Sequence, residues 1–389
     1  MIEKELLKHK FIVFCGDHYN PLGIVRSLGE INIQPIVILV AEHPIMINHS
    51  RYVDKLHLVK TNEEGYGVLI NQYGNESEKP FLYTSDDGIT SLLDLHYDDL
   101  IDKFYFFHGS GQGVVTKYMD KENICNLAVE CGCGLAKTEM VTPGTLPSKV
   151  KYPLITKAII STLGGWKGDS FICHTEDELK EAYRHIRSER ILLQEYITKK
   201  NELCLDGFCF NGGEDVYIPY YSNYLRFSNI SYGPYMVMRP FVNDVVMGQV
   251  KSILKKVGFT GIFSVEFLID QDDKLYFLEV NFRNSTWSYA YTCGGYNMPY
   301  LWAKATLEGS LDLTGIKPLR EFTAMVEPDD LIENVIKQRK VGLLKWIGEV
   351  KQSKCYYYNK NDNSPFWHYM RMRLLNPIKR KIFGINKMG

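Results

Sequence analysis

The sequence predicts a protein of mixed α/β and α+β class, in which a doubly wound parallel sheet precedes an antiparallel region and a helical, aromatic C-terminal appendage. Near the start, the continuous apolar run KFIVFC at 10–15 is typical of a buried parallel strand. An amphipathic helix follows, and a second strand at 35–40 completes a β-loop-α-β unit. At 261–283, two apolar runs flank the turn residues QDD, which predicts an antiparallel hairpin. A chain of 389 residues is long enough for two or three domains.

Two further strands extend the predicted N-terminal sheet. The first, at 80–84, leads into a helix that Ser85 or Asp86 can cap. The second, at 104–107, leads into HGSGQG, whose glycines suit an ordinary turn better than a phosphate loop. DKENICNLAVECG then predicts another helix. Because the first strand is not followed by G-x-G-x-x-G, the sequence does not predict a dinucleotide site.

The middle of the chain carries single charges inside apolar strands. YPLITKAII at 152–160 contains Lys157, and a Gly-rich stretch follows at 161–169. The backbone N–H groups of such a stretch can approach an anion without steric interference from Cβ atoms. ILLQEYI at 191–197 predicts the next strand, and Glu202 begins another. These features are compatible with phosphate binding.

Two helices and an aromatic stretch connect this region to the hairpin. A helix at 176–187 begins with a capping box, and a second helix is predicted at 243–257. Between them, 217–240 is rich in tyrosine and phenylalanine. These rings suit a surface, a core or the wall of a substrate pocket, and the sequence leaves the three possibilities open.

The hairpin places polar side chains where an ordinary strand would carry valine or isoleucine. Glu266 lies on the first strand, and Glu279, Asn281 and Arg283 alternate along the second. Residues two apart share a face of a strand, so the last three lie together. Two carboxylates and an amide oxygen form a site suited to Mg²⁺, and the guanidinium can reach a phosphate oxygen. The alternative is an amphipathic hairpin with its charges in water, which this spacing disfavours.

Composition excludes several classes of protein. The 45 basic and 46 acidic residues give a net charge of −1, so no overall field attracts nucleic acid. Nine cysteines without paired metal spacing indicate buried or free thiols in a reducing compartment. The charged start MIEKELLKHK does not resemble a signal peptide, and no apolar run is long enough to span a bilayer. We therefore expect a cytoplasmic protein, with peripheral contact at the inner face of the membrane as an alternative.

From about 121 to 309, the order of these motifs resembles the ATP-grasp superfamily, in its carbamoyl-phosphate-synthase-like branch. Within it, KPFLYTSDDGITSLL and GFTGIFSVEFLID are most similar to bacterial D-aspartate ligases and related carboxylate–amine ligases. The resemblance implies three parts. They are a pre-ATP-grasp domain at 1–115, an ATP-grasp domain at 116–315 with lobes at about 145–200 and 201–315, and a C-terminal extension at 316–389.

The resemblance also implies roles for individual residues. Phosphates would be bound by Lys121 and Lys157 and covered by Gly164, Gly165 and Gly168; the adenine would lie against Gln194, Glu195 and Ile197; and the ribose would lie against Glu202. Glu266, Glu279 and Asn281 would hold one or two Mg²⁺ ions, with Mn²⁺ as a substitute. Arg283 and Lys157 would be catalytic.

The implied activity is an ADP-forming ligation of a carboxylate to an amine through an acyl phosphate. The implied substrates are an amino acid and a cell-envelope precursor or polysaccharide, with a dipeptide or specialised-metabolite ligase as the alternative. A non-catalytic nucleotide-binding regulatory module is an alternative from another class. Arg226, Arg239 and Ser285 are candidates for substrate contacts, because arginine can clamp a carboxylate and the serine follows the metal strand.

The C-terminal region has a distinct composition. After Asp362 no acidic residue occurs, and aromatic residues are interspersed among basic ones. This pattern suits contact with an anionic lipid or a polymeric acceptor, or a helical appendage packed on the catalytic part. The expected partners are small-molecule substrates, a lipid-linked or polymeric acceptor and a second copy in a homodimer, but not nucleic acid.

Overall fold

The computed structural model describes residues 4–158, 169–228 and 233–372. The expected phosphate cover, with Gly164, Gly165 and Gly168, lies outside these residues. The described part contains two four-stranded sheets and one seven-stranded sheet, with helices packed around them. The expected mixed α/β and α+β class is confirmed.

The N-terminal part forms a parallel sheet, as expected. Its strands are β1 (Phe11–Gly16), β2 (Ile36–Val40), β3 (Lys55–Val59) and β4 (Phe81–Thr84). They lie in the order β3-β2-β1-β4. The helices of this part are α1 (Tyr19–Gly29), α2 (Asn62–Tyr73), α3 (Asp87–Leu95), α4 (Tyr97–Leu100), α5 (Val114–Tyr118) and α6 (Lys121–Glu130). The carboxyl ends of parallel strands meet at one edge of a sheet, so the turns after β1 and β4 are neighbours.

Two local expectations are resolved in this part. Asp86 caps α3, because its side chain accepts a hydrogen bond from the Ile89 N–H at 3.1 Å. The expected strand at 104–107 is instead an isolated bridge between Tyr105 and Phe81. Tyr105 exchanges backbone hydrogen bonds of 2.8 and 2.9 Å with the residues on either side of Phe81, and the strand pairing does not continue beyond them.

The second sheet is antiparallel and small. Its strands are β5 (Thr138–Val141), β6 (Leu154–Ala158), β7 (Ile172–Cys173) and β8 (Ile191–Glu195), in the order β5-β8-β6-β7. Helix α7 (Glu176–Tyr183) packs on it. Thr175 caps this helix by accepting a hydrogen bond from the Glu178 N–H at 3.3 Å, as the capping box predicts.

The large sheet contains the expected hairpin. Its strands are β9 (Lys199–Phe210), β10 (Asp215–Arg226), β11 (Tyr235–Pro240), β12 (Gly261–Asp270), β13 (Leu275–Asn281), β14 (Phe322–Met325) and β15 (Lys354–Cys355). They lie in the order β13-β12-β9-β10-β11-β14-β15. The helices that follow β11 are α8 (Asp244–Val257), α9 (Ser288–Cys293), α10 (Met298–Glu308), α11 (Glu327–Asp330), α12 (Leu343–Gln352) and α13 (Ser364–Met370).

Buried aromatic contacts join the N-terminal sheet to the rest. Trp302 on α10 is fully buried and meets Phe81, Tyr83 and Phe107 edge-to-face, with ring centroids 4.9–5.7 Å apart. All nine cysteines are free thiols, and six of them are buried. Among the described residues, no helix has the length and apolar character needed to cross a bilayer.

The C-terminal part is tied to the first helix by a buried ion pair. Arg26 on α1 is completely buried, and its Nε donates to Asp362 Oδ2 at 2.9 Å. Its other nitrogens donate to the carbonyl oxygens of Tyr356, Tyr357 and Asp362 at 2.6–3.0 Å. The chain expected as a helical appendage thus also adds β14 and β15 to the large sheet.

Candidate active site

Strand register brings the hairpin carboxylates together. Glu266 on β12 lies directly opposite Glu279 on β13 and, on its other side, opposite Cys204 on β9. Directly opposed residues share a face of the sheet. Glu202 lies two residues before Cys204, so it also shares this face. Ligand atoms of Glu202, Cys204 and Glu266 all lie within 4.8 Å of one another.

This cluster has an excess of negative charge. Burial, together with the neighbouring carboxylates of Glu279 and Glu202, raises the pKa of Glu266 well above its ordinary value. Burial also raises the pKa of Glu202, although Lys199 counteracts this through an ion pair of 2.6 Å. A bound divalent cation would offset the repulsion, and oxygen donors fit Mg²⁺. Glu266 and Glu279 are therefore candidate metal ligands.

Asn281 and Arg283 continue this face beyond Glu279. Asn281 Nδ2 donates to Ser264 Oγ at 3.2 Å and to Glu279 Oε1 at 3.3 Å. Its Oδ1 accepts from Arg283 at 3.1 Å. The same guanidinium donates through Nε to Asp87 Oδ1 at 2.5 Å. Asp87 begins α3, so the N-terminal part supplies the counter-ion of the proposed catalytic arginine.

A cleft opens where β13 meets the start of α6 and the start of α3. Its lining residues are Asp87, Thr90, Tyr118, Met119, Lys121, Ile124, Glu279, Val280, Asn281, Phe282 and Arg283. Lys121 is the first residue of α6, where Asp120 caps the helix. The cleft therefore combines two cations with two carboxylates, an arrangement that suits a metal-bound polyphosphate.

Lys157 on β6 approaches the same group of charges from the small sheet. Its Nζ donates to Gln194 Oε1 on β8 at 2.7 Å. Burial and the like charge of Lys121 lower its pKa to about 8, although Glu279 opposes this shift. An anionic ligand beside Lys157 would favour its charged ammonium form.

The expected adenine-binding residues lie at the end of β8. Gln194 is buried and Glu195 is half-buried, and the Glu195 N–H already donates to the Lys137 carbonyl at 2.8 Å. Ile197 lies in the connection to β9 and is half-buried. Glu202 follows on β9 and belongs to the acidic cluster, so the chain leads from the expected adenine-binding residues directly into that cluster.

The three substrate candidates have different surroundings, and the structure does not bring them together. Arg226 is bound by Asp330 at 2.5 and 3.0 Å and by Glu349 at 2.8 Å. Arg239 lies on the surface, where it pairs with Glu321 at 2.8 Å. Ser285 is buried and donates from Oγ to Asp206. Both arginines therefore already have protein carboxylates as partners.

Two acidic residues of this site were not expected from the sequence. Asp87 follows the capping residue of α3. The start of this helix lies at the carboxyl end of a parallel strand, where ligands commonly bind, and this position could have indicated Asp87 as a site residue. Asp206 is buried on β9 with Ser285 and Ser288 as hydrogen-bond donors, and burial raises its pKa to about 6. Period-two spacing from Glu202 through Cys204 could have indicated it.

Comparison with known proteins identifies the family and fold that this chain resembles. Residues 120–313 match the family model of the carbamoyl-phosphate synthase L chain ATP-binding domain. N5-carboxyaminoimidazole ribonucleotide synthase of Staphylococcus epidermidis is 26% identical over 133 residues, which are 34% of this chain and 34% of that protein. The chain thus spans about a third of the length of the curated relatives that it matches.

Solved structures show the fold over more of the chain. An L-amino acid ligase from Bacillus licheniformis has a TM-score of 0.65 and 14% identity, covering 82% of this chain and 80% of that one. An N5-carboxyaminoimidazole synthetase from Staphylococcus aureus has a TM-score of 0.61 and 18% identity, covering 85% and 86%. The likeness extends well beyond the residues that the family model matches.

Proposed function

We infer that this chain, whose residues 120–313 belong to the ATP-grasp family of carbamoyl-phosphate synthase L chain ATP-binding domains, is an ADP-forming ligase that joins a carboxylate to an amine. One observation carries the inference: Glu266 and Glu279 face each other across two strands, beside a cleft that also contains Arg283 and Lys121. Opposed carboxylates are unfavourable without a cation, and cations next to them suit phosphate.

The proposed roles of the nucleotide-site residues follow from their positions. Lys121 and Lys157 would bind the phosphates, and Gln194, Glu195 and Ile197 would line the base. Glu202 would accept the ribose hydroxyls. Glu266, Glu279 and Asn281 would hold Mg²⁺, which would neutralise phosphate charge during phosphoryl transfer.

The proposed reaction has two displacements. A carboxylate oxygen of the first substrate attacks the γ-phosphorus of ATP, the bond to ADP breaks, and an acyl phosphate forms. The amine nitrogen of the second substrate then attacks the acyl carbon, the bond to phosphate breaks, and the amine proton passes to phosphate or solvent. Arg283 would bind the oxygens that carry the developing charge, with its direction set by Asp87 and Asn281.

We further propose an amino acid as the carboxylate and a cell-envelope precursor or polysaccharide as the acceptor. The structural likeness to an L-amino acid ligase supports the amino-acid class and equally suits a dipeptide ligase. Arg226, Arg239 and Ser285 remain proposed substrate contacts, which for the two arginines requires exchange of their present partners. The three-domain division, a homodimer and a membrane contact through the basic C-terminus are also proposals.

The test measures ADP release with Mg²⁺ and ATP on a panel of D- and L-amino acids, other carboxylates and amines. Glu279→Ala is the test variant, and Asp272→Ala, an exposed acid in the turn of the same hairpin, is the matched control. ADP that requires both substrates, disappears with Glu279→Ala and persists with Asp272→Ala supports the ligase. ATP binding without turnover on the whole panel favours either a macromolecular acceptor that the panel lacks or a regulatory module. Absence of ATP binding contradicts the proposal.

A further inference from the structure

The segment 336–351, IKQRKVGLLKWIGEVK, combines exposed apolar side chains with an excess of positive charge. It contains five basic residues and one acidic residue, in a chain whose net charge is −1. The segment includes most of α12 and the turn before it. We refer to it as the basic apolar segment.

Three aliphatic side chains of α12 are exposed. Leu344 is 86% exposed, Leu343 is 53% exposed and Ile347 is 37% exposed. With 3.6 residues per turn, these three positions lie on one side of the helix. Glu349 lies on another side, where it pairs with Arg226 at 2.8 Å. Within the described part of the chain, Glu349 thus helps to attach the helix, and the aliphatic side stays exposed.

Basic side chains surround this aliphatic side. Lys345 and Lys351 are exposed on α12 itself. Arg339 is exposed in the turn before the helix, where its backbone has a positive φ of 52°. Ile336, 58% exposed, adds another aliphatic side chain to the same stretch. The single acid of the segment, Glu349, is neutralised by Arg226.

We propose that the basic apolar segment docks on an anionic lipid bilayer. An aliphatic side flanked by lysine and arginine is the arrangement of interfacial helices, in which apolar side chains enter the boundary of the acyl chains and cations remain among acidic headgroups. Charge complementarity favours an anionic membrane over a second copy of this chain, because two such segments would repel each other. None of its residues lines the cleft of the proposed active site.

The experiment is co-sedimentation of the full chain with vesicles, without nucleotide. Vesicles of equal parts phosphatidylglycerol and phosphatidylcholine are compared with vesicles of phosphatidylcholine alone, in 0.1 and 0.5 M NaCl. The test variant is Leu344→Ser with Ile347→Ser. The control is Val242→Ser with Val245→Ser, which removes two side chains that are 87% and 72% exposed at the start of α8, next to Asp244 rather than lysines.

Binding to the anionic vesicles should exceed binding to neutral vesicles and weaken at high salt. It should fall at least about tenfold with Leu344→Ser and Ile347→Ser, because two buried aliphatic contacts are lost, and should be unchanged with the control. Equal binding of the test variant and the unmodified chain would overturn the proposal. So would sedimentation velocity showing, without lipid, a dimer that the test variant dissociates. Neither result depends on ligase activity, so the two proposals fail separately.

Discussion

Two regions of this protein bury charge, and they do so in opposite ways. Around Arg26, every charged group meets a complementary partner: Asp362 Oδ2 also accepts from Ser50, and Oδ1 accepts from the Arg51 N–H, both at 2.9 Å. On the face of the large sheet, Glu266 instead meets Glu279 and Glu202, which have the same charge. A buried charge whose ion-pair and hydrogen-bond partners all come from the protein indicates a structural role. Buried groups of like charge that lie close together instead indicate a binding site for a ligand of opposite charge.

Replacing a carboxylate of the acidic cluster should separate activity from stability. Glu266→Gln should lower ADP formation at least about a hundredfold, because a metal ligand and its charge are lost. Its free energy of unfolding without nucleotide should not fall, because repulsion from Glu279 and Glu202 is also removed. Steady-state assays and urea unfolding measure the two quantities. A variant that retains activity, or that unfolds more easily, would contradict the ligand-site interpretation.

Breaking the Arg26 ion pair should have the opposite result. Asp362→Ala leaves a buried guanidinium without its carboxylate, and we expect a loss of about 3–5 kcal/mol in the free energy of unfolding. Urea unfolding measures it. Lys200→Met, which breaks an exposed pair with Asp273 of 2.7 Å, is the control and should cost less than about 1 kcal/mol. Similar losses for both variants would show that burial of the Arg26 pair is not decisive.

The C-terminal part also contains a buried acid that should make stability depend on pH. Glu327 accepts hydrogen bonds from the N–H groups of Tyr356, Tyr357 and Tyr358, but burial outweighs them and raises its pKa to about 7. The folded chain then keeps a proton that the unfolded chain releases near pH 4.5. The contribution of Glu327 to stability is therefore present below about pH 4.5 and falls as the pH rises to about 7.

The size of this effect is at most about 3 kcal/mol, from about 1.4 kcal/mol for each unit of pKa difference. Urea unfolding of the unmodified chain and of Glu327→Gln across pH 4.5–8 isolates it, because only the former can lose a proton at this position. The difference in free energy between them should change with pH in this window. A constant difference would show that the pKa of Glu327 is not raised.

Local sequence patterns could predict some contacts of the candidate site, but not those between distant parts of the chain. Strand periodicity and hairpin register are local, so the common face of Glu266, Glu279 and Asn281 could be predicted from a short stretch of residues. Their role in binding or catalysis stays a prediction. Asp87 joins Arg283 from 196 residues away, and its contact depends on how two sheets pack. Arg226 was predicted to contact substrate, but in the structure it pairs with Asp330 and Glu349. Both acids come from the C-terminal part, and no local sequence pattern connects that part to β10.

The smallest expected effect is a change in ATP affinity with pH, which tests whether the Lys157 ammonium binds the phosphates. With a pKa of about 8, its ammonium is mostly charged at pH 7 and mostly neutral at pH 9. ATP phosphates are ionised throughout this range. If the charge of Lys157 binds them, the Kd for ATP with Mg²⁺ should rise about tenfold from pH 7 to pH 9, or about 1.4 kcal/mol. Isothermal titration calorimetry measures it.

Lys157→Arg is the matched control, because a guanidinium stays charged over the whole range and its Kd should be nearly independent of pH. A Kd for the unmodified chain that does not change with pH would place Lys157 outside the phosphate site. A parallel rise in both proteins would assign the titration to another group.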